Sequence, residues 1–422
     1  MYIPRFLASR VESLARNFPV VVVSGARQVG KSTLLEHVFG GQAEMVVFDP
    51  VQDIGNARQD PDLFLDNHPA PVILDEIQYV PELVAALKRR VDRKRQSGQY
   101  LLTGSQQWHV LRSLAESLAG RAVFLDLEGF CLGEIAQADA SAAWLSDWLQ
   151  DPETFSNRRR TRLGLGMGPF ELVWRGSLPD AVRLPLGALP DFWGAYFRTY
   201  VERDVRLLTE VSDWHTFGRF VRLAAALTAQ EVNASQLGRE LGITPQTARR
   251  WLDLLVATFQ WHEVPAYSGN AVKRVSGKAK GHFGDTGLAC WAQAISTPTA
   301  LGGHPMWGHL FESFVVSELR KQIAMLSPAP RLHHWRSAGG AEVDLLLERD
   351  GRFFPIEVKS KTRISRADAR GIKAFRESYP TLPVAPGLVI APCERMERIS
   401  ELDYAIPWDL GAPVTDAGTH RS

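Results

Sequence analysis

Between Pro19 and Ser24 the chain reads PVVVVS, wholly apolar and mostly β-branched, and after a glycine-containing turn it resumes with helical spacing over about 32–39. An uninterrupted apolar run of this length fits a strand covered on both faces, as in a parallel sheet, better than one with a wet side. Four more short runs follow at Glu44–Asp49, Pro71–Asp75, Gln99–Thr103 and Ala122–Leu127, with helical patterns at about 80–95 and 106–118. Strands alternating with helices predict an α/β fold, a doubly wound parallel sheet, over residues 1–135.

The pattern then changes. Residues 136–215 carry few strand signals, and the polar Arg158–Arg162 stretch with Gly164, Gly166 and Gly168 predicts a helical lid or linker with a flexible connection, ending in a helix near Asp191–Leu208. Over 216–290, Ala234–Leu241, the turn Gly242-Ile243, and Thr244-Pro245 opening Gln246–Ala257 read as helix, turn, helix, with Thr244 as N-cap. Gln260–Tyr267, Ser268-Gly269-Asn270 and Lys273–Phe283 then read as a hairpin, which makes the segment a winged helix-turn-helix. Over 300–422 a helix at about 307–325, strands near 331–336, 342–348 and 353–358, a helix near 365–378 and a strand at Pro386–Ile390 predict an α/β domain with a mixed sheet, and the tail after Gly411 reads as loose.

Composition narrows the class. With 422 residues, 45% hydrophobic and 23% charged, the chain is globular and long enough for about three domains at roughly 150 residues each. Lys+Arg 48 against Asp+Glu 47 leaves a net charge of +1, so any attraction to nucleic acid has to come from local patches. Cys131, Cys290 and Cys393 are far apart, which excludes a disulfide framework or a zinc knuckle and suits a reducing compartment. No apolar run approaches 18 residues and Met1-Tyr2-Ile3-Pro4-Arg5 begins no signal peptide, so the expectation is a soluble, cytoplasmic protein without a membrane partner.

Gly25, Ala26, Arg27, Gln28, Val29, Gly30, Lys31 and Ser32 match GxxxxGK[ST] between a buried strand and a helix, and Thr33 completes the candidate nucleotide-binding set. A loop hinged on two glycines aims several amides at phosphate oxygens, the helix N-terminus adds its dipole, Lys31 neutralises the β/γ-phosphates and Ser32 offers a hydroxyl to Mg²⁺. Pro71–Glu76 ends an apolar strand in two carboxylates: Asp75 to hold the metal with Ser32, Glu76 to orient or deprotonate a water. Thr103 and Ser105 end the next strand at the same edge, either reaching the γ-phosphate and the attacking water or capping a turn. Arg121 stands directly before the fifth strand, and by position alone it reads as a surface residue after Gly120.

These residues resemble the Walker A loop, Walker B strand, sensor 1 and arginine finger of AAA+ ATPases over residues 1 to about 128. The resemblance implies ATP and Mg²⁺ as cofactors and a homo-oligomer in which Arg121 reaches a neighbour's nucleotide. Arg175–Asp180 and Tyr200–Val205 resemble segments of a bacterial and archaeal AAA+ family whose C-terminal region is a domain of unknown function; Arg203 is a candidate second sensor or a salt-bridge partner of Asp204 or Glu202.

Near the C-terminus, Asp344 starts one strand and Glu357 and Lys359 share a face of the next, so a hairpin brings two carboxylates and a lysine together, as a hard-oxygen Mg²⁺ site needs. Glu312 lies on a helix apolar enough to be buried, where a carboxylate requires a partner. The set Glu312, Asp344, Glu357 and Lys359 resembles the PD-(D/E)XK nuclease superfamily over about 305–395; this implies metal-dependent cleavage of DNA, with Mn²⁺ as the alternative ion held by Asp344 and Glu357, or a retained fold acting as an inert docking domain. From Lys359 to Arg376 seven basic residues face the single acidic Asp368, a local charge of +6 that suits phosphate contacts. Lys88-Arg89-Arg90 with Arg93-Lys94-Arg95 forms a second basic patch, and Arg249, Arg250, Lys273, Arg274, Lys278 and Lys280 are placed for DNA on the winged helix.

Overall fold

The structure, a computed structural model, describes residues 2–49, 54–106, 118–199, 213–269 and 277–414. It divides into two compact units: Met1–Phe130 with Leu178–Asp180 and Asp253–Gln260, and Cys131–Ser177 with Ala181–Leu252 and Trp261–Ser422.

In the first unit the elements run α1 (Ala8–Asn17), β1 (Val20–Ser24), α2 (Lys31–Phe39), β2 (Glu44–Val47), α3 (Gly55–Gln59), α4 (Pro61–Asn67), β3 (Val72–Asp75), α5 (Leu83–Arg93), β4 (Tyr100–Gly104) and β5 (Ala122–Asp126). The strands form one parallel sheet ordered β2-β3-β4-β1-β5. Every residue of β1 is buried, as its apolar run predicts. Val20 and Val22 join Val72, Leu74 and Leu102 under Leu83, Leu87 and Val91 of α5, while Val21 and Val23 are buried on the opposite face. Each such side chain contributes about 1.5–3 kcal/mol by leaving water, so the central strand is held from both sides. Register pairs Ser24 with Gly104 and Leu74 with Leu102, so the loops after β1, β3 and β4 leave at one edge, where open α/β sheets bind ligands. Residues 107–117, the body of the predicted 106–118 helix, lie outside the described residues.

The second unit contains α6 (Leu132–Ile135), α7 (Leu145–Gln150), β6 (Arg160–Arg162), α8 (Pro169–Arg175), α9 (Leu189–Thr199), α10 (Trp214–Ala226), β7 (Gln230–Glu231) and α11 (Ala234–Leu241). The start of α12 (Pro245–Ala257) follows, then β8 (Trp261–Val264), β9 (Lys280–Phe283), α13 (Thr286–Ala292), α14 (Trp307–Ala324), β10 (Arg331–Arg336), β11 (Glu342–Arg349), β12 (Arg352–Val358), α15 (Arg370–Ser378), β13 (Leu388–Ala391), β14 (Glu397–Arg398), β15 (Tyr404–Pro407) and β16 (Leu410–Pro413). Thr244 caps α12 by accepting from the Thr247 amide at 3.1 Å. Strands β7, β9 and β8 form a small antiparallel sheet beside these helices. The C-terminal sheet is ordered β10-β11-β12-β13-β15-β14 and is mixed, with β12, β13 and β15 parallel.

Two expectations need correction. The Arg158–Arg162 stretch is no flexible connection: β6 pairs with β16, the Arg160 side chain is 1% exposed against Asp147 at 2.6 Å and stacks on Phe155, and Arg162 grips Asp409 at 2.8 Å. Arginine reads as polar in sequence, yet its planar head accepts a carboxylate and an aromatic face when embedded. The tail after Gly411 is likewise ordered by this pairing as far as Pro413. Residues 200–205 with Arg203, the wing residues Lys273 and Arg274, and residues 415–422 lie outside the described residues.

Candidate nucleotide site and carboxylate–lysine cluster

The loop between β1 and α2 owes its path to two glycines. Gly25 has φ 155°, and a Cβ there would sit 2.1 Å from the Leu127 carbonyl oxygen; Gly30, φ 89°, is the left-handed residue from which α2 starts. Lys31 is buried, its Nζ donating to the Gly25 and Ala26 carbonyls at 3.0 Å each, which fastens the ammonium over the loop's own cradle. Arg5 carries no signal in the sequence pattern. It is buried and donates to the Val29 carbonyl of the loop at 2.7 Å and to the Glu128 and Gly129 carbonyls at 2.7 and 3.1 Å, with its guanidinium over Phe130.

Ser32 Oγ donates to Asp75 Oδ1 at 2.7 Å, so a hydroxyl and a carboxylate 43 residues apart meet at the sheet edge. Thr103 Oγ1 also donates to Asp75 Oδ1 and accepts from the Glu76 amide at 2.9 Å. That second bond holds Glu76 in the left-handed region at φ 58°, a conformation costing an ordinary residue of order 1–3 kcal/mol. Gln78, another residue the sequence does not signal, donates its amide to the Glu76 carboxylate and to Ser105 Oγ at 3.0 Å. Burial would raise the Glu76 carboxyl, but Lys31, the Gln78 hydrogen bond and Arg27 together hold it below the ordinary carboxylate range. Arg27 itself donates to the Tyr79 hydroxyl at 3.0 Å. The donor set fits a nucleotide triphosphate with Mg²⁺: amide-lined glycine loop, lysine, hydroxyl and carboxylate in one place.

Arg121 lies at the start of β5 and engages Asp92 through two bonds of 2.6 and 2.8 Å. Of the basic patch on α5, Arg89 pairs with Asp62 and Arg90 with Asp66 at 2.7 Å, so two of its six charges are met within its own unit.

In the second unit Asp344 and Glu357 are buried side by side. Asp344 Oδ2 accepts from the Val358 amide at 2.8 Å, and Lys359 Nζ lies 2.7 Å from Glu357 Oε2 and 3.5 Å from Asp344 Oδ2. Gly371 of α15 permits this packing, for a Cβ there would meet Glu357 Oε1 at 2.2 Å and the Glu342 carbonyl at 1.7 Å. The partner that Glu312 requires is Lys280, whose Nζ is 2.6 Å away and also 2.7 Å from Glu342 and 3.5 Å from Asp344. The expectation that Lys280 meets phosphate from the wing is overturned: it is 5% exposed, turned inward from β9. Burial, reinforced by Asp344 and opposed by Lys280, pushes the Glu312 carboxyl up to about 8; burial and Asp344 also push Glu357 well up. Asp344 goes the other way: burial is outweighed by Lys280, Lys359 and the Val358 amide. Among the described residues no three His, Cys, Asp or Glu side chains converge in an arrangement that could hold a metal ion.

A second buried carboxylate on α14, Glu318, accepts from the Leu132 amide at 3.0 Å and caps α6. Arg249 is tied to Glu263 at 2.8 Å. Arg175–Asp180 includes a turn in which Asp285 accepts from the Ser177 amide and hydroxyl at 2.9 Å each. No helix among the described residues is long and apolar enough to cross a membrane.

Two uncharacterized mycobacterial proteins, Rv2008c of Mycobacterium tuberculosis and Mb2031c of Mycobacterium bovis, are each 29% identical to this chain over 408 residues, 96% of it and 83% of the relative. Among solved structures, the Walker-type ATPase PABY2304 of Pyrococcus abyssi is similar over 69% of this chain and 96% of its own, at 15% identity and TM-score 0.40. The RuvB Holliday junction branch migration motor of Thermotoga maritima is similar over 62% and 90%, at 17% identity and TM-score 0.31. Residues 169–299 match a family described as a domain of unknown function (DUF8612), and residues 307–410 match another domain of unknown function (DUF4143), neither description naming a nuclease. Residues 17–136, which contain the glycine loop, Ser32, Asp75 and Glu76, match the family described as AAA domain: this part of the chain is an AAA-type P-loop ATPase domain.

Proposed function

We propose that the protein hydrolyses ATP at the site formed by residues 25–33, Asp75 and Glu76, and that turnover switches the state of the second unit. The observation carrying this is the 2.7 Å bond joining Ser32 to Asp75 with Glu76 next in line. Mg²⁺ held by Ser32 and Asp75 would supply charge neutralisation at the β/γ-phosphates. Lys31 and the loop amides fix the phosphates, Glu76 takes the proton from the attacking water, and Gln78 and Ser105 orient Glu76. Its depressed pKa keeps Glu76 ionised through the neutral range. Lys31→Ala should lose nucleotide binding, whereas Glu76→Gln should bind normally and turn over about 10²–10⁴-fold more slowly, the usual weight of a positioned general base. Normal turnover in Glu76→Gln removes that assignment.

For the second unit, contact with DNA is supported by the basic face of residues 363–373. Arg363, Arg366 and Arg370 are exposed and form no ion pair among the described residues; Arg366, Arg370 and Lys373 line a groove of about 480 Å³ opposite Glu401 and the Arg376–Asp403 pair. Fluorescence anisotropy with a DNA duplex across a salt series tests this: replacing Arg363, Arg366 and Arg370 together should weaken binding and flatten the dependence of log K on log salt by about 0.9 for each phosphate no longer neutralised. An unchanged slope rejects the face. Of the two readings of the C-terminal cluster, the non-nucleolytic one is favoured by the ammonium of Lys280 among its carboxylates. Incubation of plasmid with the protein and Mg²⁺ or Mn²⁺, beside Asp344→Ala, decides it, since cleavage abolished in the variant restores the nuclease reading.

A further inference from the structure

Glu312, Glu342, Asp344 and Glu357 each have a lysine ammonium no more than 3.5 Å away, supplied by Lys280 on one side and Lys359 on the other. Two of the separations at Lys280, 2.6 and 2.7 Å, are those of charge-assisted hydrogen bonds, and the third, 3.5 Å to Asp344, is that of a looser ion pair. Mg²⁺ demands oxygen ligands at about 2.0–2.1 Å in near-octahedral geometry, so the oxygens here are spaced for an ammonium. A divalent ion placed among Glu312, Glu342 and Asp344 would also lie against Lys280, and two cations in a buried space repel strongly.

Nor is Lys280 a long side chain free to swing away. Its strand, β9, is the middle one of three, with Glu231 of β7 and Val264 of β8 as register partners. The next residue, Gly281, lies so close under Trp261 that a Cβ would meet the indole at 1.9 Å. The backbone that carries Lys280 is therefore fixed, and at 5% exposure its side chain is enclosed.

We infer that Lys280 is the resident cation of the C-terminal cluster: its ammonium takes the place a divalent metal holds among such carboxylates, so the cluster binds neither Mg²⁺ nor Mn²⁺ and ties β9 to β11 and α14. The inference is independent of ATP hydrolysis at the glycine loop.

The test is Mn²⁺ binding followed by electron paramagnetic resonance of the free ion, without nucleotide, on full-length protein in an Asp75→Asn background that removes the carboxylate of the glycine-loop site. With Lys280 present, no Mn²⁺ should be taken up that Asp344→Asn abolishes. Lys280→Met should gain one Mn²⁺ per chain and lose it again when Asp344→Asn is added. One Mn²⁺ bound with Lys280 in place and lost in Asp344→Asn overturns the inference, and so does a cooperatively melting Lys280→Met that gains none. If Lys280→Met does not melt cooperatively, protein containing Lys280 is compared with Glu312→Gln: uptake by the first and not the second overturns the inference, and no uptake by the first supports it.

Discussion

His282 lies two residues beyond Lys280 on the same strand and is 1% exposed, with Nδ1 3.1 Å from Ser313 Oγ and Nε2 buried without a hydrogen-bond partner among the described residues. Burial, reinforced by the nearby Lys280 ammonium, pushes its pKa well below the ordinary imidazole value. The folded protein therefore refuses a proton that the unfolded chain accepts below about pH 6.5. A folded pKa depressed in this way contributes stability that is present above the unfolded pKa and fades as pH falls. The loss from this one residue approaches about 1.4 kcal/mol per pH unit once the pH is about a unit below that point. Urea unfolding at pH 7.5, 6.5 and 5.5 should show wild type losing stability more steeply than His282→Gln, by about one proton's worth of slope. Parallel slopes would mean that His282 is protonated in the folded state.

Among the elements, the N-terminal segment before α1 acts on the glycine loop through Arg5, which joins the Val29 carbonyl to the chain leaving β5. Arg5→Met keeps the apolar stem and removes the three donated bonds. Each net bond to a charged donor is worth about 1.5–3 kcal/mol, so nucleotide affinity should fall at least tenfold, read by titration with a fluorescent ATP analogue. Unchanged affinity would make Arg5 a purely structural tie. Why Arg5 is silent in the sequence, while Lys31, Ser32, Asp75 and Glu76 are not, is a matter of distance along the chain. The loop announces itself through neighbours, a buried strand, two glycines and a helix start, and β3 announces Asp75 in the same local way. Arg5 meets its partners across 24 and 123 residues, and Gln78 meets Ser105 across 27, separations that leave no periodic trace. Lys280 is the instructive error. In KGHF a single lysine looks like an exposed wing residue, and the one sign against it is on another helix, where buried Glu312 demands a cation. Strands β13 to β16 are only partly legible because none exceeds four residues and the last three lie beyond the strong apolar run that marks β13.

At the scale of the whole molecule the open matter is whether subunits act on one another, and Arg121 is the residue on which it turns. Its ion pair with Asp92 joins two partly exposed side chains, 24% and 48%. Such a solvent-screened pair contributes little and can be given up to a better anion. An arginine reaching the transferred phosphoryl group from a neighbour contributes 10³–10⁵ in rate, far more than the pair costs to break. Arg121→Ala should therefore leave nucleotide affinity unchanged and lower turnover at least 100-fold, but so would a role within one subunit. Mixing separates the two. Lys31→Ala subunits cannot hold nucleotide but still carry Arg121; Arg121→Ala subunits hold nucleotide but lack the arginine. In a randomly assembled ring of equal parts, a competent site needs one of each side by side, so activity should recover to roughly a quarter of wild type if the arginine acts across a closed symmetric interface. Recovery should also fade on dilution, as assembly does. Two inactive proteins that stay inactive when mixed, at concentrations where wild type is active, would place the action of Arg121 within its own subunit, whereas undiminished turnover in Arg121→Ala alone would leave the contact with Asp92 as its whole role.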